Sequence, residues 1–298
     1  MNDKLAPPAN PRSVGWWLRR NSRRTLARFK NVRAHRLLGL GIRAARLHLR
    51  SPAPRSTPPR DVRIVVSLST IPSRLAHLRP ALNSLLDQSE PADRIVLALP
   101  RYSAREARPY PEIATLKLPQ GIDVLDCEDF GPATKFLPVL AAEPDAIVIV
   151  VDDDVIYPPK FIANLLAVHR EQPGAALGYR GVLLKPGHAF VDLDHVFGSA
   201  LTAPSRVDVL FGTWGYLLPP HALDLETGGG GEVAERLRWV DDVWLCGLLA
   251  RRGIPRLVVP IDEIPIETAN AGRRSLAGGP NKSGENDARA VKTFEADW

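Results

Sequence analysis

The chain of 298 residues lacks the features that define several well-known protein classes. Its two cysteines, Cys127 and Cys246, cannot form a disulfide framework, and their spacing is not that of a zinc site. We therefore expect buried free thiols and a reducing, cytoplasmic compartment. Long apolar runs are also missing, because none approaches the roughly 20 residues that a membrane-spanning helix needs.

Two familiar binding motifs are absent as well. The run Gly228–Gly231 is not followed by the Lys-Ser/Thr pair of a phosphate-binding loop, so it predicts only a hinge or a mobile lid. The histidines beyond residue 150 show no metal-ligand spacing, and we expect them at the surface or in the core. They are His169, His188, His195 and His221.

Acidic residues are nearly absent from the first fifth of the chain. Residues 1–60 hold 15 of the 39 Lys and Arg residues but one of the 33 acids, Asp3, so the remainder is acidic. Four prolines within Ser51–Pro59 predict a stiff, extended linker at the end of this basic arm. The sequence thus predicts an arm over residues 1–60 and a folded domain over residues 61–298.

The arm has a weak amphipathic helical pattern, with the aromatic pair Trp16-Trp17 at its front. Gly39 and Gly41 argue against one unbroken helix, so we expect a helical or a disordered arm. Residues 12–50 could lie on an anionic membrane, which would place the protein peripherally on the inner membrane face. A solvated tail and a transit peptide remain alternatives, whereas nucleic-acid binding is disfavoured because no recognition module is present.

Strand-like and helix-like segments alternate through the rest of the chain. This alternation predicts an α/β fold with a doubly wound, mostly parallel sheet flanked by helices. Residues 180–235 look less regular, and the tail from Ala269 is polar and reads as loop. The predicted strands are Arg63–Leu68, Arg94–Leu99, Ile122–Leu125, Ala146–Val151, Ala175–Gly178 and Arg256–Val259.

Three consecutive aspartates, Asp152, Asp153 and Asp154, directly follow the apolar run Ala146–Val151. This run predicts a buried central strand, and open α/β sheets bind ligands at the carboxyl ends of such strands. Adjacent negative charges repel one another unless a cation or basic groups neutralise them. Hard oxygen ligands suit Mg²⁺ or Mn²⁺ that bridges a phosphorylated substrate. The alternative is an acidic loop that caps the next helix.

Four segments in this order resemble the GT-A glycosyltransferases, nearest the inverting family-two type, over roughly residues 62–260. The resemblance implies transfer of a sugar, with inversion, from a nucleotide-diphosphate donor to a hydroxyl acceptor, either a glycan or a lipid-linked molecule. It also implies a donor half at about residues 61–160 and an acceptor half at about residues 175–298. The segments are Ser-Leu-Ser-Thr-Ile-Pro-Ser-Arg (67–74), Cys-Glu-Asp-Phe-Gly-Pro-Ala-Thr-Lys (127–135), Val-Asp-Asp-Asp-Val-Ile-Tyr-Pro-Pro (151–159) and Trp-Val-Asp-Asp-Val-Trp (239–244).

The resemblance places the Asp-x-Asp motif of these enzymes at Asp152 and Asp154. Asp154 would bind Mn²⁺ or Mg²⁺, and Asp152 would assist it or touch the ribose. Asp153 either belongs to the same donor site or faces the opposite way as a structural residue. A cation here would bridge both phosphates and take up charge as the diphosphate leaves.

The loop after the first strand corresponds to the nucleotide-contacting loop of such enzymes and contains Ser69, Thr70 and Arg74. The planar guanidinium of Arg74 matches a phosphate or a base. Alternatively, Ser73 caps the following helix and Arg74 is solvated.

A second loop brings a cation towards the same edge of the sheet. Lys135 follows Asp129 and the turn Gly131-Pro132, so both Asp129 and Lys135 are candidates for the donor site. Lys135 could bind the donor or offset the acidic charges. The alternative is a lysine at the surface.

Asp241 and Asp242 stand where family-two enzymes carry a Glu-Asp pair whose second member is the base. Asp242 would then deprotonate the acceptor hydroxyl, because neighbouring acids raise its pKa and make it a better base. Trp239 and Trp244 flank the pair and could stack on sugar rings. The alternative is a helix whose first turn is acidic because of its dipole.

The resemblance is incomplete at the metal. Many GT-A enzymes use a histidine near the carboxyl terminus, whereas the last histidine here is His221, before the predicted base. Asn281, Asn286 and Asp287 could replace it on residue type alone. The segment Phe211–Tyr216 either lines the acceptor side or packs in the core.

Two other functions stay open at this point. A metal-dependent phosphohydrolase or nucleotidyltransferase could use the same aspartates on a related sheet. A non-catalytic protein that binds a nucleotide sugar could retain the fold without turnover.

Overall fold

The structure is a computed structural model that describes residues 34–57, 59–185, 187, 190, 193–223, 240–268 and 285–298. The chain divides into two compact units, Met1–Arg46 and Leu47–Trp298. The predicted division at about residue 60, and the donor and acceptor halves, remain predictions. Among the described residues, no helix combines the length and the apolar character that crossing a membrane requires.

The described residues form six α-helices and fifteen short strands. The helices are α1 (Ala34–Leu49), α2 (Arg79–Leu86), α3 (Leu137–Ala142), α4 (Phe161–Glu171), α5 (Asp241–Arg251) and α6 (Glu285–Thr293). Short 3-10 segments cover Pro72–His77, Ile113–Thr115, Gly131–Lys135 and Gly198–Ala200.

The strands alternate with these helices as the sequence predicts. They are β1 (Ile64–Ser69), β2 (Arg94–Pro100), β3 (Tyr102–Ser103), β4 (Arg108–Pro109), β5 (Asp123–Cys127), β6 (Ile147–Val150), β7 (Val155–Ile156), β8 (Ala176–Gly178), β9 (Arg180–Leu183), β10 (Asp194–Phe197), β11 (Ser205–Arg206), β12 (Val209–Leu210), β13 (Tyr216–Leu218), β14 (Arg256–Val258) and β15 (Ile266–Glu267).

Eight strands build the central sheet, in the order β11-β14-β8-β13-β6-β1-β2-β5. Strands β14, β8, β6, β1, β2 and β5 run in one direction, and β13 and β11 run against them. The predicted α/β class with a mostly parallel sheet is therefore confirmed. The structure adds the reversed strand β13, which lies in the part of the chain that looked irregular.

The register of the parallel strands determines which loops meet. In β1, Ser67 pairs with Val150 of β6 and with Val96 of β2. Since parallel strands end at the same edge of a sheet, the loops after β1, β5 and β6 all emerge there. These loops contain the sequence-predicted donor residues.

Helices cover both faces of the sheet, because alternate residues of each central strand face opposite sides. Val65 belongs to a core layer that includes residues of α3, α5 and α6. Its neighbour Val66 belongs to the other layer, with residues of α2 and α4. Each fully buried aliphatic side chain stabilises the fold by about 1.5–3 kcal/mol. The sheet is thus doubly wound, as predicted.

Two local predictions are wrong. Helix α1 runs through Gly39 and Gly41 without a break, because isolated glycines weaken a helix by only about 1 kcal/mol each. The polar tail is not all loop, since α6 forms near the carboxyl terminus. The ring of Phe294 packs directly over Gly247 of α5, where any side chain would overlap it. This apolar contact joins two residues that lie far apart in the sequence, and it holds the carboxyl-terminal tail in place.

Candidate active site

The three aspartates lie where the sequence predicts them, immediately beyond the carboxyl end of β6. The hydroxyl of the buried Tyr157 accepts a hydrogen bond from the Asp152 amide at 2.8 Å and closes the turn. On the far side, the Thr268 amide donates to the Asp154 carbonyl at 2.8 Å. The backbone of the aspartate loop is therefore held at both ends.

Asp153 points towards the loop after β1. The Thr70 hydroxyl donates to its Oδ2 at 2.6 Å, and Arg74 donates to its Oδ1 at 2.7 Å. Arg74 also lies 3.0 Å from Oδ2 of Asp154, and its side chain is only 12% exposed. The alternative of a solvated Arg74 is therefore wrong. The residue before the 3-10 segment is Ile71, so Ser73 does not cap it.

Asp152 points to the other side and meets Lys135. The Nζ of Lys135 lies 3.2 Å from Oδ1 of Asp152 and 3.0 Å from Oδ2 of Asp241. Burial opposes the charged form of Lys135, but the negative charges of Asp152 and Asp241 outweigh it and raise the pKa of the amine. Lys135 is thus a buried link between the aspartate loop and α5, and the alternative of a surface lysine is wrong.

Asp241 and Asp242 occupy the first turn of α5. Burial, followed by the charge of Asp241, raises the pKa of Asp242 to about 8, although Lys135 partly offsets this. No described residue forms a hydrogen bond with the buried Oδ1 of Asp242, while the residue as a whole is partly exposed. A carboxyl group in this state can take a proton near neutral pH, which suits a general base.

The backbone at Gly212 approaches both charged groups. A Cβ built there would lie 2.8 Å from Oδ1 of Asp242 and 2.9 Å from Nζ of Lys135. A side chain at this position would force Asp242 or Lys135 to shift. Trp214 follows with a φ of 80°, which is costly for a bulky residue. Strain of this kind is often retained at functional sites.

The charge on Asp154 is incompletely balanced. Burial and the charges of Asp152 and Asp153 raise the pKa of Asp154 to about 7, although Arg74 acts against them. The pKa of Asp152 is also raised, first by burial. A divalent cation would remove this repulsion, because it favours the ionised form of each carboxylate.

The candidate metal ligands fit a site that is shared with substrate phosphates, and they do not fit a site closed by protein ligands alone. Within the described ranges, no group of three His, Cys, Asp or Glu residues is placed to hold a metal ion. A closed site made of protein ligands alone is therefore not present in that part of the chain. Mg²⁺ is usually held by one or two carboxylates and by substrate phosphates. Asp152 and Asp154 fit that second arrangement.

The remaining predicted donor residues have structural contacts. Asp129 accepts hydrogen bonds from the amides of Ala104 at 2.6 Å and Gly131 at 2.7 Å, so it shapes the turn that leads to Lys135. Ser69 ends β1 and is partly exposed at the same edge. Ser69, Thr70, Arg74, Asp129 and Lys135 thus lie at or beyond the carboxyl ends of β1 and β5, on the same edge of the sheet as the aspartates.

Three of the aromatic residues that could contact a sugar, Trp214, Tyr216 and Trp244, are buried. Trp214 and Tyr216 are buried, so this part of Phe211–Tyr216 packs in the core. Trp244 is also buried and stacks on Phe136 at 6.1 Å, so the expectation that it stacks on sugar rings is wrong. Trp239 lies outside the described residues.

The residues considered for completing the metal coordination have different positions in the structure. Asp287 lies in α6, whose apolar residues pack in one core layer with α5, and burial and the charge of Asp241 raise the pKa of Asp287 to about 6. His221 is exposed and pairs with Asp145 at 2.9 Å. Asn281, like Gly228–Gly231, lies outside the described part of the chain. The predicted role of Asn286 remains a prediction.

Sequence reasoning missed Gly212 and Arg105. Gly212 lies in the segment Phe211–Tyr216, for which the sequence left two interpretations open, but its own role gave no signal because its close contacts join segments far apart in the chain. Arg105 lies in the hairpin β3–β4, which is too short for any periodicity to reveal. Arg105 is half-buried and close enough to Arg74 and Asp153 for their charges to affect its pKa.

Comparison with known proteins gives evidence at the level of structure. No family model matches the chain, and no curated protein matches it by sequence. Solved structures do match, among them the mannosyltransferase PcManGT from Pyrobaculum calidifontis in complex with GDP-Man and Mn²⁺. The identity is 17%, the TM-score is 0.53, and the match covers 88% of this chain and 72% of that one. The likeness shows the fold alone: a GT-A-like α/β fold with a mostly parallel central sheet flanked by helices.

Proposed function

We propose that the protein is a metal-dependent glycosyltransferase, which moves a sugar from a nucleotide-diphosphate donor to a hydroxyl acceptor. The observation that supports this most is the Lys135 bridge between Asp152 and Asp241. It brings the aspartates beyond β6 and the acidic first turn of α5 together at one edge of a GT-A-like sheet. On the same fold, PcManGT was solved with GDP-Man and Mn²⁺.

In this proposal the donor lies over the carboxyl ends of β1, β5 and β6. Asp152 and Asp154 would hold Mn²⁺ or Mg²⁺, which would neutralise charge on the diphosphate. Arg74 is fixed by Asp153 and Asp154, so its guanidinium is already oriented for an anionic group. Thr70 and Asp153 keep that loop in place, and Ser69 lies at its start.

Asp242 is the proposed general base. Lys135 pairs with Asp241, whereas burial and the charge of Asp241 raise the pKa of Asp242 to about 8. The partly exposed Asp242 would take the proton of the acceptor hydroxyl while that oxygen attacks the anomeric carbon. Attack from the face opposite the diphosphate would invert the anomeric configuration.

Features of α1 in the basic arm support the proposal that the acceptor lies at a membrane surface. Ile42 and Leu49 of α1 are 62% and 80% exposed. They stand seven residues apart and therefore lie on one side of the helix. In the sequence, three basic residues stand next to or near Ile42 and Leu49: Arg43, Arg46 and Arg50. Within residues 12–50, α1 would contact anionic lipid at the inner membrane face, where a glycan or a lipid-linked acceptor would be modified.

The deciding experiment begins with the donor. UDP-, GDP-, CMP- and dTDP-sugars are screened by thermal shift with and without Mn²⁺, and the donor that binds is then incubated with the full chain. We expect release of the nucleoside diphosphate and a glycosylated product, both lost in Asp154→Ala and in Asp242→Asn. The control is exposed Asp262→Asn, which should keep full activity.

Three results would contradict the proposal. Full activity in both site variants would remove the mechanism. Release of phosphate or of the free nucleotide without a sugar product would indicate a hydrolase or a nucleotidyltransferase instead. Donor binding with no product under any condition would indicate a binding protein.

A further inference from the structure

A tyrosine lies in the core directly behind the aspartate loop. Tyr157 is fully buried, and its ring packs against that of Phe161 with 4.5 Å between the centroids. A phenylalanine could make the same apolar contacts, so packing alone does not account for the hydroxyl. A buried hydroxyl group lowers stability unless it forms hydrogen bonds. The hydrogen bonding of this hydroxyl therefore indicates its role.

The Tyr157 hydroxyl holds the backbone at the start of the aspartate loop. The amide of Val151 still donates to the sheet, to the Ser67 carbonyl of β1 at 2.9 Å. The next amide, that of Asp152, donates instead to the Tyr157 hydroxyl at 2.8 Å. Beyond the end of β6, this side chain thus replaces the sheet as the acceptor and fixes the peptide from which Asp152 projects.

The orientation of this peptide matters because the neighbouring aspartates point in different directions. Asp152 meets Lys135 at 3.2 Å, whereas Asp153 accepts a hydrogen bond from Thr70 at 2.6 Å. A rotation of the backbone that moved Asp152 away from Lys135 would also change its distance from Asp154, the other proposed metal ligand. Joint binding of a metal by the two ligands therefore requires a fixed backbone at residue 152.

Helix α2 holds Tyr157 in place from the other side. The Ser84 hydroxyl accepts a hydrogen bond from the Tyr157 amide at 3.0 Å. The Gln88 side chain accepts one from the Ile162 amide at 3.1 Å and donates to the Pro158 carbonyl at 2.8 Å. Both Ser84 and Gln88 are fully buried. The segment that follows the aspartate loop is therefore bound to α2 through buried side chains, which gives Tyr157 a fixed position.

The same helix also supports the second proposed ligand. Helix α2 begins two residues after the 3-10 segment Pro72–His77, which contains Arg74. Arg74 lies 3.0 Å from Oδ2 of Asp154. One helix is thus connected to Asp154 through Arg74. It is connected to Asp152 through Tyr157, so it sets the position of one ligand relative to the other.

We propose that Tyr157 is a positioning residue of the metal site. Its hydroxyl holds the Asp152 amide in the orientation that lets the Asp152 carboxylate bind Mn²⁺ or Mg²⁺ together with Asp154. This inference rests on the proposed function. Because Tyr157 is fully buried, it acts through Asp152 and not on the donor itself. Hydrogen bonds that orient metal ligands typically change metal affinity by about 10-fold to 100-fold.

The test measures Mn²⁺ affinity, and it uses Tyr157→Phe because this change removes the hydroxyl and keeps the ring. Free Mn²⁺ is followed by electron paramagnetic resonance while the full chain is titrated with Mn²⁺ in the presence of GDP, UDP, CDP or dTDP. The same titration without protein accounts for Mn²⁺ that the nucleotide binds by itself. Tyr157→Phe should bind Mn²⁺ about 10-fold to 100-fold more weakly than the wild type.

The matched control is Tyr179→Phe. Tyr179 is also fully buried and packs against the same ring of Phe161, at 5.7 Å, but its hydroxyl donates to the Phe161 carbonyl of α4 at 3.1 Å. Both variants lose a buried hydroxyl, so both should unfold at a somewhat lower temperature than the wild type. Only Tyr157→Phe should lose Mn²⁺ affinity. An equal loss of Mn²⁺ affinity in the two variants would overturn the inference, because general damage to the core would then explain it.

The outcomes separate this inference from the proposed function. If the wild type binds no Mn²⁺ with any of the four nucleotides, the proposed function fails first. If the wild type binds Mn²⁺ and Tyr157→Phe binds it equally well, only the role of Tyr157 is overturned. If Tyr157→Phe does not fold, Ser84→Ala carries the test, since it removes the acceptor of the Tyr157 amide. It should also weaken Mn²⁺ binding, and an unchanged affinity would overturn the inference.

Discussion

The Nζ of Lys135 lies 3.0 Å from Oδ2 of Asp241. This ion pair distinguishes two adjacent aspartates that the sequence alone presents as equivalent. Asp241 pairs with this largely buried cation, whereas burial and the charge of Asp241 raise the pKa of Asp242 to about 8. The difference leads to separate expectations for the two positions.

Asp242→Asn should reduce transfer about 100-fold to 10,000-fold, which is the range for loss of a general base. The wild-type kcat/KM should rise with pH and level off above about 8, since Asp242 must lose its proton to act. Asp241→Asn should reduce transfer less than Asp242→Asn does, and its kcat/KM should still rise with pH. The measurement is the pH profile of donor turnover for all three proteins. A flat wild-type profile would contradict the assignment of the base.

The raised pKa of Asp242 also predicts a gain in stability for the inactive variant. A carboxyl group whose pKa rises on folding binds its proton more tightly in the folded state, so its contribution to stability falls as the pH rises from the ordinary aspartate range to about 8. Asn has no proton to lose. Asp242→Asn should therefore unfold at a higher temperature than the wild type, with a difference that grows from about pH 4 to about pH 8 and then levels off.

Thermal unfolding at several pH values measures this effect, and exposed Asp262→Asn serves as the control. That variant should follow the wild type across the whole pH range. A constant difference between Asp242→Asn and the wild type would show that the folded protein does not raise the pKa of this carboxyl group.

Gly212→Ala should lower kcat about tenfold to 100-fold, because a displacement of about 1 Å at catalytic groups has effects of this size. The added Cβ would lie 2.8 Å from Oδ1 of Asp242 and 2.9 Å from Nζ of Lys135, so one of these groups must move. Gly174→Ala is the matched control, since its Cβ would meet nothing within 4 Å. Steady-state kinetics should show unchanged activity for the control, and equal activity for both variants would refute the predicted role of Gly212.

The sequence predicts the fold well where one local pattern repeats. The apolar runs of β1, β2 and β6 follow from hydrophobic periodicity, and their bounds agree within about two residues. Strand β13 escaped prediction because three residues show no periodicity. Helix α6 escaped it because its polar composition hides the few apolar residues that pack on α5.

The residues of the candidate site were likewise predictable only where a local pattern marks them. The aspartates beyond β6 and in α5 were found because charges directly behind an apolar run form a local signal. Their partners could not be ranked from sequence, since Arg74 and Lys135 were each compatible with a solvated surface position. Only the register of β1 against β6, which joins residues about 80 positions apart, brings Thr70 to Asp153.

The final prediction concerns the membrane. Replacing Ile42 and Leu49 together by Asn should weaken binding to vesicles that contain phosphatidylglycerol about tenfold or more, because both side chains would otherwise bury apolar surface in the lipid. Wild-type binding should fall with added salt and be weak on pure phosphatidylcholine, as expected for arginines near an anionic surface. Co-sedimentation with vesicles measures both effects.

The double variant Ile113→Asn with Leu183→Asn is the matched control. It removes the same two residue types from other exposed positions, which are 41% and 39% exposed, and it should bind vesicles like the wild type. Equal binding by both double variants would contradict a membrane role for α1. A change in molecular mass by light scattering on replacing Ile42 and Leu49 would instead show that this side of α1 contacts a second copy of the chain.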